Sequence, residues 1–381
     1  MRLYILLVYT LLVYIVLTPS VYSIQLTTEK YDRLVGVQIF NFDPTYQNDL
    51  DSYFYELKSQ NINCIIVRVF HNKGDRYHFS VNSDCDTGVY FKTNMACSIK
   101  DILPDIISHA KSYGIKVYAW MATRSLSFLK EEFGLEKRFT YKNKSEKGYG
   151  VNIFDGRVRN KIIKLFRDLA LYDIDGILIQ DDFILKYNEG ASAEAVKRFK
   201  VDCGQLATYN TLFYNNDTKK DLFYIWNRWK TEQLNYFLDE IIMEVKKIDP
   251  GIDFAINIFY ETPTMPAQAL EWYSQSLNRI FNSNIKYYSI MLYHEQIAQE
   301  MKLNFLDTAM FINSTIRKLT NDILNNERVI AKIQIRSFKD KSTFDVQEMN
   351  AICGIIQKYD DMSFFILPFE KIEDKRFICN N

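Results

Sequence analysis

Two adjacent aspartates, Asp181 and Asp182, close the apolar run Ile177, Leu178, Ile179. Burying charge is costly, so carboxylates at a buried strand's end need either solvent or a chemical task. Two neighbouring like charges also repel, which tends to raise one pKa and suits a group that must keep its proton near neutrality. Other apolar runs are followed by polar groups as well. His71 and Asp75 come after one, Glu261 after another, then Glu295 and Glu370. Acids converging on one rim are the layout expected for acid/base chemistry at a glycosidic bond. One carboxyl of the Asp181–Asp182 pair would donate a proton to the leaving oxygen. Glu295, Glu261 or Glu189 would serve as base, nucleophile or stabiliser. Trp120, Tyr260, Trp272 and Tyr293 lie on or just beyond strand ends, where a flat ring can stack under a sugar. Strand ends are solvated and acids are common there, so the adjacent pair carries more weight than any single acid.

Eight short apolar runs must position these groups: residues 34–40, 64–70, 116–122, 176–180, 253–258, 287–293, 328–335 and 363–369. They are nearly continuous apolar stretches, as parallel strands covered on both faces require. Helical stripes lie between them, such as Val158, Ile162, Leu165, Phe166 and Leu169, or Leu50, Tyr53, Phe54 and Leu57. Eight alternating units predict an α/β fold, a single (β/α)8 TIM barrel with its site where the strands end. A doubly wound sheet is the competitor, but "NFDPTYQ" after the first strand is no glycine-rich phosphate turn. The loop from His71 to Cys97 is long for a βα connection. With Tyr90 and Phe91 in it, this loop is predicted to wall the groove.

Residues 1–23 carry one charge, Arg2, then an apolar run and small residues near Ser23. They read as a secretory signal, with an uncleaved anchor as the alternative. Residues 24–381 then form one barrel domain, placed outside the cell, in the periplasm or on the cell surface. The 47 basic and 47 acidic residues leave no basic footprint for nucleic acid. Membrane contact is expected only through the N-terminal segment. Aromatic residues make up 15% of the chain, which either AT-biased coding or sugar stacking would produce. Of six cysteines, Cys64 sits in an apolar run and reads as a buried thiol, whereas Cys85 and Cys97 flank one loop and make the best pair. Their spacing fits no zinc pattern and only four histidines exist, so no metal and no cofactor is expected.

The stretches "VFHNKGDRYHF", "GVYFKTN", "IKVYAWMATR", "DIDGILIQDDFILKYNEGAS" and "YYSIMLYHE" resemble the barrel domain of PgaB-type proteins. These are the poly-beta-1,6-N-acetyl-D-glucosamine deacetylases/hydrolases of biofilm export systems. The resemblance spans roughly residues 33–370. It implies a glycoside hydrolase-like barrel that cleaves partly deacetylated exopolysaccharide. It also implies that Asp181 and Asp182 are the paired aspartates and Glu189 a further acid of the groove. Tyr260 and Trp272 match aromatic positions after strand five, and Glu295 matches the acid after strand six. Gln180 stands where relatives commonly have His, and Tyr187 where an acid is frequent. No aspartate-rich metal motif or His-x-x-x-His pair precedes the barrel, so deacetylase activity is not expected of this chain.

A weaker resemblance is to chitinase-like barrels with "DG-x-D-x-D-x-E" on strand four. Asp182 would take the acid's place, but Leu178 and Gln180 replace the two supporting aspartates. The alternative from another class is a non-catalytic barrel that binds or guides exopolysaccharide, keeping the aromatics without needing the acids. The acids Asp181, Asp182, Glu189, Glu261, Glu295 and Glu370 outnumber the bases Lys73, Arg76 and Arg336. That balance predicts a negative groove preferring free glucosamine units, which are cationic near neutral pH, over acetylated ones.

Overall fold

The computed structural model describes residues 31–381, apart from 43–48, 76–78, 80, 82, 142–145, 215–217, 281–282, 323–324, 378 and 380–381. Residues 1–23, read as a signal, and Arg76 lie outside the described residues. Arg33–Asn381 forms one compact unit.

Among the described residues, eight strands close into a barrel in which every neighbouring pair is parallel. They are β1 (Val35–Ile39), β2 (Cys64–Arg68), β3 (Lys116–Met121), β4 (Gly176–Ile179), β5 (Asp253–Ile258), β6 (Tyr287–Leu292), β7 (Val329–Gln334) and β8 (Ser363–Phe369). All eight predicted strands are present. Nearly every strand residue is buried, which is why these runs lack the polar alternation of half-exposed strands. The predicted stripes sit on α1 (Leu50–Ser59), which buries Tyr53, Phe54 and Leu57, and α2 (Gly156–Leu169), which buries the five expected residues together with Ile163. Asp49 and Asp155 cap these helices by accepting from Ser52 N and Arg157 N. The outer layer continues with α3 (Asp221–Lys246), α4 (His294–Met301), α5 (Phe305–Asp322) and α6 (Val346–Ile356).

The lumen is filled from the bottom upward. Gly36 pairs with Phe365 across β1–β8, and a Cβ at Gly36 would collide with that ring. Gly176 leaves room for Tyr118 in the same way, and the Tyr118 hydroxyl donates to Asp253 Oδ2 at 3.2 Å. Residues two apart share a strand face. Trp120 therefore stands one layer above Tyr118, toward the end where the strands terminate.

The long loop after β2 is folded on itself. Phe70–His71 pairs antiparallel with Gly88–Val89. Tyr90 and Phe91, expected as a groove wall, are instead buried, and Phe79 packs edge-on against Tyr90 at 4.7 Å. A segment this long lowers its free energy by burying its own aromatics. The Cys85–Cys97 disulfide ties it, and Cys64 is a buried free thiol, both as read from the sequence. A second disulfide, Cys353–Cys379, joins α6 to the C-terminal segment. Denatured protein should therefore expose two reactive thiols without reductant and six with it. Four or more without reductant would remove one or both bridges.

Candidate active site

Parallel strands place all their C-terminal ends on one rim, so Asp181, Asp182, Glu261, Glu295 and Glu370 share a face of the barrel. Sharing a rim does not make them equivalent. Asp182 is 1% exposed and accepts from four donors. Thr123 N donates to both of its oxygens at 3.1 and 2.9 Å, and Thr123 Oγ1 to Oδ1 at 2.9 Å. Ser125 N and Oγ donate to Oδ2 at 2.6 and 2.7 Å. Fully occupied in this way, Asp182 is a clamp between the segments after β3 and β4 rather than an acid of the cleft.

Glu189 needs the same correction. It is completely buried, where Arg124 Nη2 meets its Oε1 at 3.2 Å and both side chains are inaccessible. Burial by itself would push the Glu189 carboxyl up. The Arg124 charge and the N–H groups of Lys186 and Tyr149 outweigh it and hold the value below the usual one. Arg124 also donates to the carbonyls of Val151 and Ile184. Lys230, buried below, donates to the carbonyls of Lys186 and Tyr187, and burial brings its ammonium down to about 7.

Asp181 is different. It is partly exposed and borders a cavity of about 60 Å³ lined also by Phe259, Tyr260, Met291, Tyr293, Gln296 and Ile297. Burial pushes its carboxyl up to about 6, with Lys332 opposing the rise and Asp182 adding to it. Lys332 is 1% exposed inside the barrel, its Nζ 3.1 Å from Asn257 Oδ1 and 5.9 Å from the Trp120 ring centre. Burial lowers this ammonium to about 7 while Asp181 holds it up. Tyr293, also beside Asp181, has its phenol pushed well up by burial first and by that carboxylate second.

Glu295, in the first turn of α4, accepts from Gln334 Nε2 at 3.3 Å and Ser337 Oγ at 3.1 Å and stays partly exposed. Glu261 is buried and accepts from the Tyr273 hydroxyl at 3.1 Å. Tyr260 donates to Glu300 at 2.6 Å, leaving only its ring edge to the cavity. Trp272 is 39% exposed, the most accessible ring of the four expected to stack. Trp120, by contrast, is wedged between Phe40 and Phe70 with its Nε1 donating to Gln180. Asp75 is taken by Arg68 and by Asn72 N, and His71 lies edge-on to Tyr90. His294 is buried, where its imidazole is lowered to about 4 and is neutral. Gln38 Oε1, Gln334 Oε1 and Glu370 Oε1 are buried with no partner among the described residues. Buried acceptors of this kind are usually met by ordered water.

The profile of the family described as "Hypothetical glycosyl hydrolase family 13" matches residues 41–364. The chain belongs to this family. It is 27% identical over 319 residues to the Poly-beta-1,6-N-acetyl-D-glucosamine N-deacetylase of Escherichia coli K12, covering 79% of this chain and 44% of that protein. The counterpart of strain O157:H7 matches equally. The chain thus spans less than half the length of these relatives. In fold it is similar to the PgaB (BpsB) glycoside hydrolase domain of Bordetella bronchiseptica, with a TM-score of 0.72 at 18% identity over 90% of this chain and 96% of that one. The catalytic domain of a Paenibacillus polymyxa beta-amylase follows at 0.54 and 11%, covering 91% and 99%.

Within this glycosyl hydrolase barrel, three residues escaped the sequence reading: Lys332, Asn257 and Arg124. The first two left a signal, since a charge in "VIAKIQI" and an amide in "DFAINI" interrupt apolar strands at lumen-facing positions. Arg124 left none that separates it from a surface arginine. Replacing it by Met strands Glu189 as a buried charge, so Arg124→Met should lower stability by about 3–5 kcal/mol. Urea denaturation measures this, and a wild-type midpoint would show that the pair carries no such weight.

Proposed function

We propose that this chain cleaves a partly deacetylated beta-1,6-linked N-acetylglucosamine exopolysaccharide, with Asp181 as the general acid. The observation that carries this reading is a carboxyl raised to about 6, facing an aromatic-lined cavity at the rim of a glycosyl hydrolase barrel. As the C1–O bond breaks, the Asp181 proton passes to the leaving oxygen and positive charge grows at C1. Glu295 is the second carboxylate: it stays partly exposed, whereas Glu189 is buried and ion-paired and Glu261 is buried. It takes the proton of the attacking water or faces the developing charge directly. Lys332 stays hydrogen-bonded to Asn257 and leans electrostatically on Asp181, which keeps the acid from titrating still higher.

Substrate identity is supported by the relatives, whose name specifies poly-beta-1,6-N-acetyl-D-glucosamine. The two disulfides fit an oxidising compartment and support export. The proposal concerns glycosidic cleavage.

Asp181→Asn is nearly isosteric and should leave the fold intact while lowering sugar release about 100- to 10,000-fold. Wild-type protein that binds the polymer without cleaving it would make the barrel a binding module instead. The pH profile gives an independent check. Asp181 acts only while protonated, and its raised value keeps the proton until about pH 6. The rate constant kcat/KM should therefore fall as pH rises through that region. A rate that stays flat to pH 8 would exclude Asp181 as the donor.

A further inference from the structure

The loops after β3 and β4 also bring basic groups to the surface. Asp182 and Glu189 are internal, and beyond them the rim carries Lys130 and Lys186. Lys130 sits on the short helix Ser127–Phe133 after β3, and Lys186 lies in the loop after β4. Both ammonium groups gather on one ring. Lys186 Nζ is 4.8 Å from the centre of Tyr149 and Lys130 Nζ is 5.9 Å from it. Tyr149 is 42% exposed, so the cluster is open to solvent. Among the described residues neither ammonium pairs with a carboxylate, whereas many other exposed lysines of the chain do.

The cluster is held from beneath. Glu189 accepts from Tyr149 N at 2.5 Å through one oxygen and from Lys186 N at 2.8 Å through the other. Gly148 has no room for a Cβ because that carboxylate lies against it. One buried acid, itself fixed by Arg124, thus sets the backbone of both Tyr149 and Lys186. The Tyr149 phenol is within electrostatic range of the proposed acid: it is pushed up to about 12 by burial and then by Asp181 and Asp182.

We propose that Lys130, Tyr149 and Lys186 form a subsite for a sugar carrying an acidic substituent, a carboxylate, next to the bond that Asp181 protonates. The subsite rests on the polysaccharide reading above and adds that the bound polymer carries acidic as well as amino groups. The carboxylate ion-pairs with the two ammonium groups, and the edge of the tyrosine ring lies against the sugar. Preorganisation by Glu189 means that only the lysine side chains lose freedom on binding. The ion pairs are exposed, so their contribution is modest and sensitive to salt.

Titration calorimetry at low temperature, before appreciable turnover, tests this with two beta-1,6-linked N-acetylglucosamine oligomers, one unsubstituted and one O-carboxymethylated. The wild-type protein should bind the carboxymethylated oligomer about fivefold tighter at low ionic strength, as two exposed ion pairs allow. The ratio should shrink toward one in high salt and in the Lys130→Gln/Lys186→Gln double variant. Lys186→Glu should reverse it. Equal affinities in the wild type, or a ratio unchanged by the double variant, overturn the subsite while leaving sugar release by Asp181 intact. Binding of neither oligomer overturns the subsite and the hydrolase reading together.

Discussion

The rim of this barrel depends on how three consecutive residues after β3 seize two acids from the loop after β4. Thr123 and Ser125 hold Asp182, and Arg124, between them, holds Glu189. Thr123 and Arg124 lie in a bend just past the strand, and this one short stretch grips two partners at once. Both acids are buried, and each is satisfied by several donors, which is the condition under which a buried carboxylate is tolerated. Those two carboxylates are committed, whereas the Asp181 side chain borders the cavity that Tyr293 also lines.

That arrangement also explains how two adjacent aspartates divide the labour. The clamp takes one carboxyl out of reach of solvent and substrate. Its charge remains close enough to make ionisation of the neighbour harder. Lys332 works in the opposite direction from within the lumen. The acid is thus poised between a like charge fixed by the scaffold and an opposite charge buried in the barrel. Neither influence requires a metal or a mobile loop, and both are set by strand geometry.

The charge at the rim follows from burial more than from composition. Counting acids along the chain predicts a negative groove, but Asp182 and Glu189 are consumed by internal partners and Glu261 is buried. What stays partly accessible includes Asp181, Glu295 and Glu370 among the acids, and Lys130 and Lys186 around Tyr149.

The fold was legible in the residues alone, because eight apolar runs separated by helical stripes admit few architectures. The rim positions of Asp181, Glu261, Glu295 and Glu370 came with it, since a parallel barrel sends every strand end to the same face. The Cys85–Cys97 pairing and the buried Cys64 were also readable from local context. Which acids face solvent was not. Asp182 and Glu189 have partners 57 to 65 residues away in sequence, and no local pattern reveals a bond across that distance. The lysine of "VIAKIQI" breaks an apolar strand, but only the closed barrel shows its ammonium buried with Asp181 acting on it. The aromatics Tyr90, Phe91 and Trp120 look like sugar platforms until tertiary packing surrounds them. Periodicity decides where the chain runs, because it records which face each element buries. Only the folded structure decides what each side chain does, because burial and long-range hydrogen bonds determine which charges are neutralised and which remain for chemistry.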